Sequence, residues 1–356
     1  YSKRAQRATC ARQVQRVERN LDLFAVFCAG SFVILTLLVL FAYGGIDVLL
    51  LKVDKAEFRT SLGPFGAVVT ISTKWLMPAM FAALVFGAKR AGRSVIRIWL
   101  LPVAAICLII VGASWGYKTT FLTMLLPAVI LSAWKVRLRN LVIAGTLVSV
   151  VVIGFALYFD QYSNAGAALS ALAFRLTALQ GDLAWYTWGK VSTGHATPEY
   201  LRTFIPIFGD RVLRALTGAD SSRNYANWAS YYFGQVMTLY GGYPVSGLEA
   251  GVNNQATIFA ECLVIGGKYL YLLPSACFGA IVGLTSIWIR REMLLGRVNS
   301  AATLATFFSF TILPWILGNG LSSLFYLINI VGGLITYLIL SLFFSAHRPR
   351  VRAVDA

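Results

Sequence analysis

The sequence predicts an all-α, polytopic integral membrane protein with about eight transmembrane helices. Composition is the first reason, because 58% of the residues are hydrophobic and 13% are charged, and the mean hydropathy is +0.71. A soluble domain typically carries about 25% charged residues. The second reason is a series of long apolar runs, and the third is the placement of the basic residues. The five cysteines have no paired spacing, which argues against a disulfide framework or a zinc site.

Eight apolar runs are candidates to cross a bilayer, for which a helix needs roughly 20 residues. A further run, 255–266, is too short to cross and ends at a glycine pair, so we predict a re-entrant half-helix there. The chain opens without a Met or a signal-peptide pattern, as is typical of the ordered part of a longer protein. The predicted spans are 22–43, 64–87, 98–113, 119–134, 141–159, 269–289, 300–317 and 321–345.

These runs divide the chain into five parts. A basic segment is followed by a group of five spans, a long interval without a span, the half-helix with three more spans, and a basic tail. Within the long interval, 165–187 and 199–217 have the apolar spacing of helices. The predicted boundaries are 1–21, 22–159, 160–254, 255–345 and 346–356.

The formal net charge of +17 is distributed unevenly between the two sides of the predicted spans. Of the 31 Lys and Arg residues, 19 lie in segments that alternating spans place on one side. Cytoplasmic loops of membrane proteins are enriched in Lys and Arg in this way. The charge therefore needs no nucleic-acid partner, and membrane lipids are the expected partner of the basic segments. The long interval 160–254 is predicted to lie in the periplasm or outside the cell.

Four arginines of this outer interval are candidates to bind an anion. A guanidinium stays charged and can donate two parallel hydrogen bonds to phosphate or carboxylate oxygens. For any one of them the alternative is an anchor among lipid headgroups, but basic residues are otherwise scarce on this side. Lys118, in a glycine-containing hairpin between two spans, either faces the same anion or anchors a helix end. The arginines are Arg175, Arg211, Arg214 and Arg223, of which Arg211 and Arg214 would share a helical face.

Three other titratable residues stand in unusual surroundings. Glu261 lies inside the apolar half-helix, where it could act as a general base or form a salt bridge with an outer arginine. Lys74 lies inside the second predicted span, and an intramembrane lysine is a functional candidate, although polar packing with neighbouring Thr and Ser residues is the alternative. His195 lies in a polar, glycine-containing turn and is predicted to be a surface histidine.

Aromatic residues crowd the outer interval from Trp185 to Tyr243. Such rings suit stacking on sugar faces and equally suit a belt at the membrane interface, with Trp228 and Tyr231 as the candidates for sugar contact. The sequence contains no Walker loop, dinucleotide fingerprint, Asp-x-Asp pair or metal-spaced His/Cys set. A Gly-x-Ser-x-Gly match at 112–116 joins two predicted spans rather than a strand and a helix, which argues against a serine nucleophile.

Three motifs resemble the bacterial oligosaccharide repeat-unit polymerases, the Wzy-type O-antigen polymerases, and more distantly the O-antigen ligases. The hairpin around Lys118 resembles a Gly/Ser-rich basic motif of the family, with lysine where arginine is commoner. Arg223 stands before Gly234 at a spacing similar to one in the periplasmic loops of these polymerases. The third motif is a polar start, an apolar half-helix, an acid and a glycine pair, and it runs through Asn253, Asn254 and Glu261 to Gly266-Gly267. The ligases often carry histidine where this chain has the asparagines.

The resemblance implies a GT-C-like membrane glycosyltransferase of the bacterial inner membrane, with its active site on the periplasmic face. An undecaprenyl-pyrophosphate-linked glycan would be the donor and a second lipid-linked repeat unit the acceptor. A chain-length regulator protein would be a further partner. The pyrophosphate would leave in a single in-line displacement, and its developing charge must be stabilised. No nucleotide sugar, metal ion or cofactor is implied.

On this interpretation Glu261 takes the proton from the acceptor hydroxyl, while Arg211 and Arg223 stabilise the leaving pyrophosphate. The remaining candidates would contact the substrate, and they are Arg175, Arg214, Lys118, Asn253, Asn254, Trp228 and Tyr231. The alternatives are a flippase or transporter of the same lipid-linked glycan, an O-antigen ligase, and a non-catalytic membrane scaffold. A transporter is expected to show internally repeated helix bundles, and the sequence has no detectable repeat.

Overall fold

Every regular element in the part of the chain that the structure describes is a helix. The structure, a computed structural model, describes residues 21–53, 58, 62, 65–91, 94–115, 120–132, 138–159, 163–194, 200–208, 215 and 258–344. In a few helical stretches only the backbone is described, namely 91, 138–145, 147–148, 159, 172, 175–180 and 200–202.

Six helices are long and apolar enough to cross a membrane, which confirms the prediction of a helical, multi-pass membrane protein. This count covers the described residues and rests on length and composition. The six are α1 (Leu21–Ala42), α3 (Gly66–Arg90), α4 (Val95–Ser114), α9 (Leu272–Leu295), α10 (Val298–Asn319) and α11 (Leu327–Phe344). The other helices are α2 (Gly45–Leu49), α5 (Thr120–Ser132), α6 (Leu138–Phe159), α7 (Ala165–Ser192) and α8 (Ile258–Leu270).

Two of the eight predicted spans correspond to helices outside this group of six. Helix α5 has 13 residues, so at 1.5 Å per residue it is about 20 Å long and shorter than the roughly 30 Å hydrocarbon core. Helix α6 has 22 residues, and its stretch Ser149–Tyr158 is apolar. The other six predicted spans match candidate spans with ends that differ by a few residues.

Two predicted helices differ from the structure in extent or type. The last span was predicted from residue 321, but a short 3-10 helix, Leu321–Phe325, comes first and α11 begins at Leu327. Tyr326 between them has an extended backbone, with φ −55° and ψ 124°, so the two cannot form one α-helix. The predicted helix 199–217 is a 3-10 helix over Tyr200–Phe208, and most of the remainder lies outside the described residues.

The chain divides into two compact units. The first comprises Tyr1–Asp160, Ile287–Ser309 and Gly332–Ala356, and the second comprises Gln161–Ser286 and Phe310–Val331. The first therefore contains the predicted group of five spans together with parts of the last three helices. The second contains α7, α8 and the turn between α10 and α11.

In the first unit, basic side chains tie the ends of several helices together. Lys89 Nζ donates a hydrogen bond of 2.6 Å to the carbonyl of Ser132 at the end of α5. Arg90 donates one of 2.8 Å to the carbonyl of Met293 near the end of α9. The last carbonyls of a helix lack partners within the helix and carry partial negative charge, so cations there are stabilising. These contacts place the basic ends of α3, α5 and α9 side by side.

The first turns of α1 and α4 lie at the same basic end. Arg97 of α4 is 2% exposed, and its Nε lies 2.9 Å from Oδ1 of Asp22 in α1. Leu21 packs against α3 so closely that a Cβ at Gly87 would lie 2.5 Å from it. Asn299 at the start of α10 donates a 2.9 Å hydrogen bond to Ser341 near the end of α11. The helices of this unit therefore alternate in direction, as short connections require.

A π-helical turn in α3 fits a tight contact with α11. The turn spans Ile71–Leu76, and it contains Trp75, which is 1% exposed. Its ring packs against the last helix so closely that a Cβ at Gly332 would lie 2.7 Å from it. π-Helical turns inside α-helices change the direction of side chains and are frequent at functional sites. Only a glycine at position 332 leaves room for the indole.

Candidate functional site

The half-helix α8 in the second unit is broken where the sequence predicts. Gly267 has φ +65° and ψ −172°, a non-helical conformation inside the segment. This region of backbone conformation is essentially restricted to glycine. A Cβ on the preceding residue, Gly266, would lie 2.7 Å from the backbone of Tyr271. Each glycine of the pair is therefore needed for a different reason, the first for space and the second for its conformation.

Glu261 lies one and a half turns before this break and is 1% exposed. Its Oε2 accepts a hydrogen bond of 2.8 Å from Nε1 of Trp315. Its Oε1 accepts one of 2.6 Å from the backbone N–H of Leu321. Hydrogen bonds to an ionised acceptor are shorter and stronger than neutral ones. Both carboxylate oxygens therefore hold groups that flank the turn between α10 and α11.

The turn next to Leu321, whose backbone N–H donates to Glu261, has two glycines with positive φ, Gly318 at +109° and Gly320 at +82°. It continues into the 3-10 helix, where Ser323 Oγ donates a 2.7 Å hydrogen bond to the carbonyl of Gly320. Asn329 Nδ2 donates one of 2.9 Å to the carbonyl of Ser323. The connection between the predicted spans 300–317 and 321–345 is therefore a turn closed by its own hydrogen bonds.

Buried aromatic rings and hydroxyls neighbour the two groups that donate to the carboxylate. Trp315 is fully buried, and its ring meets that of Phe278 edge-on with 4.8 Å between centroids. Ser322, next to the Leu321 donor, and Thr311, one turn before Trp315, are buried. Their hydroxyls have no hydrogen-bond partner within the described part of the chain. Unsatisfied buried polar atoms are rare. The hydroxyls of Thr311 and Ser322 therefore mark a buried polar region of the second unit that can form further hydrogen bonds.

Helix α7 belongs to the same unit, and its two faces differ. Leu183 is 1% exposed and Thr187 is fully buried. Trp188 meets the ring of Tyr271 edge-on, with 6.2 Å between centroids. On the other face, Trp185 is 74% exposed and Tyr186 is 54% exposed. The helix therefore uses one face for packing and presents aromatic side chains on the other.

Lys74 lies in the π-helical turn of α3, in the first unit. Its Nζ is 4.1 Å from the ring centroid of Trp115, a distance typical of a cation–π contact. Phe58 meets the same indole edge-on, with 5.7 Å between centroids. Both interpretations that the sequence offered for Lys74, a functional role and polar packing with neighbouring Thr and Ser residues, stay predictions.

Most of the residues that the sequence singles out lie outside the described part of the chain. Of the candidates, Glu261 and Lys74 are described in full. The backbone of Arg175 lies within α7, and its side chain is not among those described. The roles predicted for these side chains therefore stay predictions. Those outside the described residues are Lys118, His195, Arg211, Arg214, Arg223, Trp228, Tyr231, Asn253 and Asn254.

The two described groups that donate to Glu261 were not predicted from the sequence. They are the indole of Trp315 and the backbone N–H of Leu321. The salt bridge to an outer arginine stays a prediction, because those arginine side chains lie outside the described part of the chain. A signal was present, because an indole N–H in an apolar segment requires an acceptor. Trp315 stands three residues before the Gly318-Asn-Gly320 turn, and the nearest acids in sequence are far away.

No family model, curated protein or solved structure matches the chain. The fold and the site together define the class: a helical, multi-pass membrane protein with a broken half-helix whose buried carboxylate holds the turn between two membrane-spanning helices.

Proposed function

We propose that the chain is a membrane glycosyltransferase of the bacterial inner membrane that polymerises undecaprenyl-pyrophosphate-linked repeat units into O-antigen, capsule or exopolysaccharide. The observation that carries the proposal is Glu261, a buried carboxylate on a broken half-helix that directly follows the arginine-containing outer interval in sequence. Irregular backbone at membrane depth is tolerated where it is packed in protein or lines a cavity. Such breaks are typical of sites that handle polar substrates.

The proposed architecture has eight spans in a GT-C-like arrangement, in which the segments 119–134 and 141–159, containing α5 and α6, supply the fourth and fifth. The basic end, where Lys89, Arg90 and Arg97 lie, would face the cytoplasm in agreement with the positive-inside rule. The outer interval would then face the periplasm. The lipid tails of the substrates would remain in the bilayer while their glycans reach this face.

In the proposed reaction, a hydroxyl oxygen of the acceptor glycan attacks the anomeric carbon of the donor glycan. The bond between that carbon and the pyrophosphate oxygen breaks, and undecaprenyl pyrophosphate leaves with the electron pair. Arg211 and Arg223 would stabilise the charge that develops on this leaving group, which is usually the largest contribution to catalysis. Arg175, Arg214 and Lys118 would bind the same pyrophosphate before the reaction.

Glu261 is the proposed acceptor of the hydroxyl proton. A carboxylate has about four lone-pair sites, and the N–H groups of Trp315 and Leu321 occupy one on each oxygen. The two donors would hold the carboxylate in a fixed orientation, which is the usual requirement for an efficient general base.

Polymerisation by the purified protein from lipid-linked repeat units tests the proposal. Arg211→Ala and Arg223→Ala are expected to slow chain growth about 10²-fold to 10³-fold, as the loss of a charge-stabilising group does elsewhere. Arg291→Ala is the matched control, since Arg291 is an exposed arginine near the end of α9. Unchanged chain growth in both outer-interval variants would show that the assigned roles are wrong.

The same assay separates the alternatives. A flippase moves the lipid-linked unit across the bilayer and leaves its length unchanged, whereas a polymerase gives a ladder of longer products. A ligase transfers the glycan to a different lipid acceptor and gives no ladder with repeat units alone. A ladder in detergent, where no sealed bilayer exists, is the expected outcome.

A further inference from the structure

Helix α7 carries an exposed tryptophan, Trp185, on the side opposite its buried residues Leu183 and Thr187. Leu183 and Thr187 are buried on one side. With 3.6 residues per turn, Trp185 lies about half a turn around the helix from both. Its side chain is 74% exposed, more than any other described tryptophan. A ring so placed contributes little to the packing of the helix.

The residues four positions before and after Trp185 leave its ring open, and the residue three positions before it adds a carboxylate, while Trp188 three positions after it packs against Tyr271. Residues four positions away on a helix lie directly above and below one another. At those positions stand Gly181 and Gly189, which have no side chain to cover the ring. Asp182, three positions before Trp185, is exposed, as is Tyr186 at 54%. The surface therefore combines an open indole, an acceptor and a phenol within about one turn of helix.

Trp99 in α4 shows what an exposed tryptophan looks like within a candidate membrane span. It is 73% exposed, nearly the same fraction as Trp185. Its neighbours one turn away are apolar and also exposed, with Val95 at 72% and Ile96 at 46%. A continuous apolar surface of this kind suits lipid chains. The glycines and the carboxylate around Trp185 do not form such a surface.

We propose that Trp185 and Asp182 form a glycan-binding platform on α7. The indole would stack on the apolar face of a sugar ring, and the carboxylate would accept hydrogen bonds from the sugar hydroxyls. A carboxylate repels anionic phospholipid headgroups, so a neutral, hydroxyl-rich glycan is the complementary partner. That this glycan belongs to the lipid-linked substrate rests on the proposed function.

The test measures binding of a free glycan to the full-length protein in detergent. The probe is the oligosaccharide that mild acid releases from the lipid-linked glycans of the cells that produce this protein. Trp185→Ala is expected to weaken its binding about tenfold, as truncation of an aromatic anchor commonly does. Asp182→Ala is expected to weaken it as well, and Trp185→Phe less than Trp185→Ala. Trp99→Ala, the control with matched exposure, is expected to leave the affinity unchanged.

Equal glycan affinity in the wild-type protein and Trp185→Ala would overturn the platform. If, in addition, the thermal stability in lipid nanodiscs falls equally in Trp185→Ala and Trp99→Ala, Trp185 belongs to the membrane interface. Because both tryptophans are exposed, neither variant is expected to prevent folding, and a monodisperse elution profile checks this.

The failure of the platform and the failure of the polymerase proposal give different results. If the protein elongates no lipid-linked units but binds the free glycan through Trp185, the polymerase assignment is wrong and the platform stands. If Trp185→Ala elongates lipid-linked units with an unchanged KM, the platform is wrong and the polymerase stands.

Discussion

Trp315 and Leu321 donate to the two oxygens of one carboxylate, so a single side chain of α8 holds both sides of the turn after α10. The donors lie 54 and 60 residues from Glu261 in sequence. A buried acceptor or donor that loses its partner costs the desolvation of that group, typically about 1–3 kcal/mol. Glu261 is therefore important for the structure whether or not it also takes a proton.

Trp315→Phe tests the structural role at the scale of one hydrogen bond. The substitution removes the indole donor and keeps an aromatic ring near Phe278. The midpoint of thermal unfolding is expected to fall, because Glu261 loses one donor at a cost of about 1–3 kcal/mol. Trp288→Phe is the control, since Trp288 is 55% exposed. Equal midpoints for the two variants would contradict the role assigned to the indole.

Glu261→Gln tests both roles of the carboxylate at once. The amide NH2 would face a donor where an oxygen accepted before, so the thermal midpoint is expected to fall. Chain growth in the polymerisation assay is expected to fall about 10²-fold or more, since a positioned general base contributes about 10²-fold to 10⁴-fold. If chain growth falls no further than in Trp315→Phe, Glu261 positions the turn and is not the base.

At the scale of elements, glycine decides where the helices of the second unit end. Gly267 breaks α8, and Gly318 and Gly320 form the turn before α11. The break in α8 was predicted from its glycine pair in apolar sequence, because glycine adopts positive φ at no steric cost. The start of α11 was predicted incorrectly. The apolar residues of Leu321–Phe325 suggested the first turn of the span, but this segment forms a 3-10 helix in which the Ser323 hydroxyl donates to the carbonyl of Gly320.

Gly267→Ala tests the break in α8. An alanine at φ +65° and ψ −172° is strained, and such conformations cost about 1–3 kcal/mol. The variant is expected to unfold at a lower temperature than the wild type. Gly279→Ala in α9 is the control: no described atom lies within 4 Å of a Cβ built there, and alanine favours a helix over glycine by about 1 kcal/mol. A stability loss as large in Gly279→Ala would contradict the explanation.

At the scale of the whole molecule, the alternation of helix direction in the first unit follows from contacts at both ends. Lys89, Arg90 and Arg97 mark one end. At the other, Tyr158 donates a 2.7 Å hydrogen bond to the carbonyl of Leu49. The basic residues that the sequence assigns to one side of the membrane include those at the first end. Lys52, in the loop after α2, lies three residues beyond Leu49 and is exposed.

Labelling with a membrane-impermeant maleimide tests the orientation of the whole molecule. The native cysteines are first replaced, and Lys52→Cys and Arg291→Cys are introduced separately. Lys52→Cys is expected to react in intact spheroplasts, because it lies at the end opposite the basic residues. Arg291→Cys is expected to react only after the membrane is permeabilised. The reverse pattern would show that the orientation is opposite to the proposed one. Labelling of both cysteines in intact spheroplasts would contradict the proposed topology.

The sequence by itself determined that this protein is helical and multi-pass, roughly where its spans lie, and that α8 breaks at a glycine pair. These properties are local, since apolar length and the backbone freedom of glycine act within a few residues. Tertiary structure alone decided that Glu261 binds Trp315 and Leu321, that Gly332 makes room for Trp75, and that Trp185 faces outward. Each of these depends on which residues distant in sequence are packed together, and hydrophobic periodicity contains no information on that pairing.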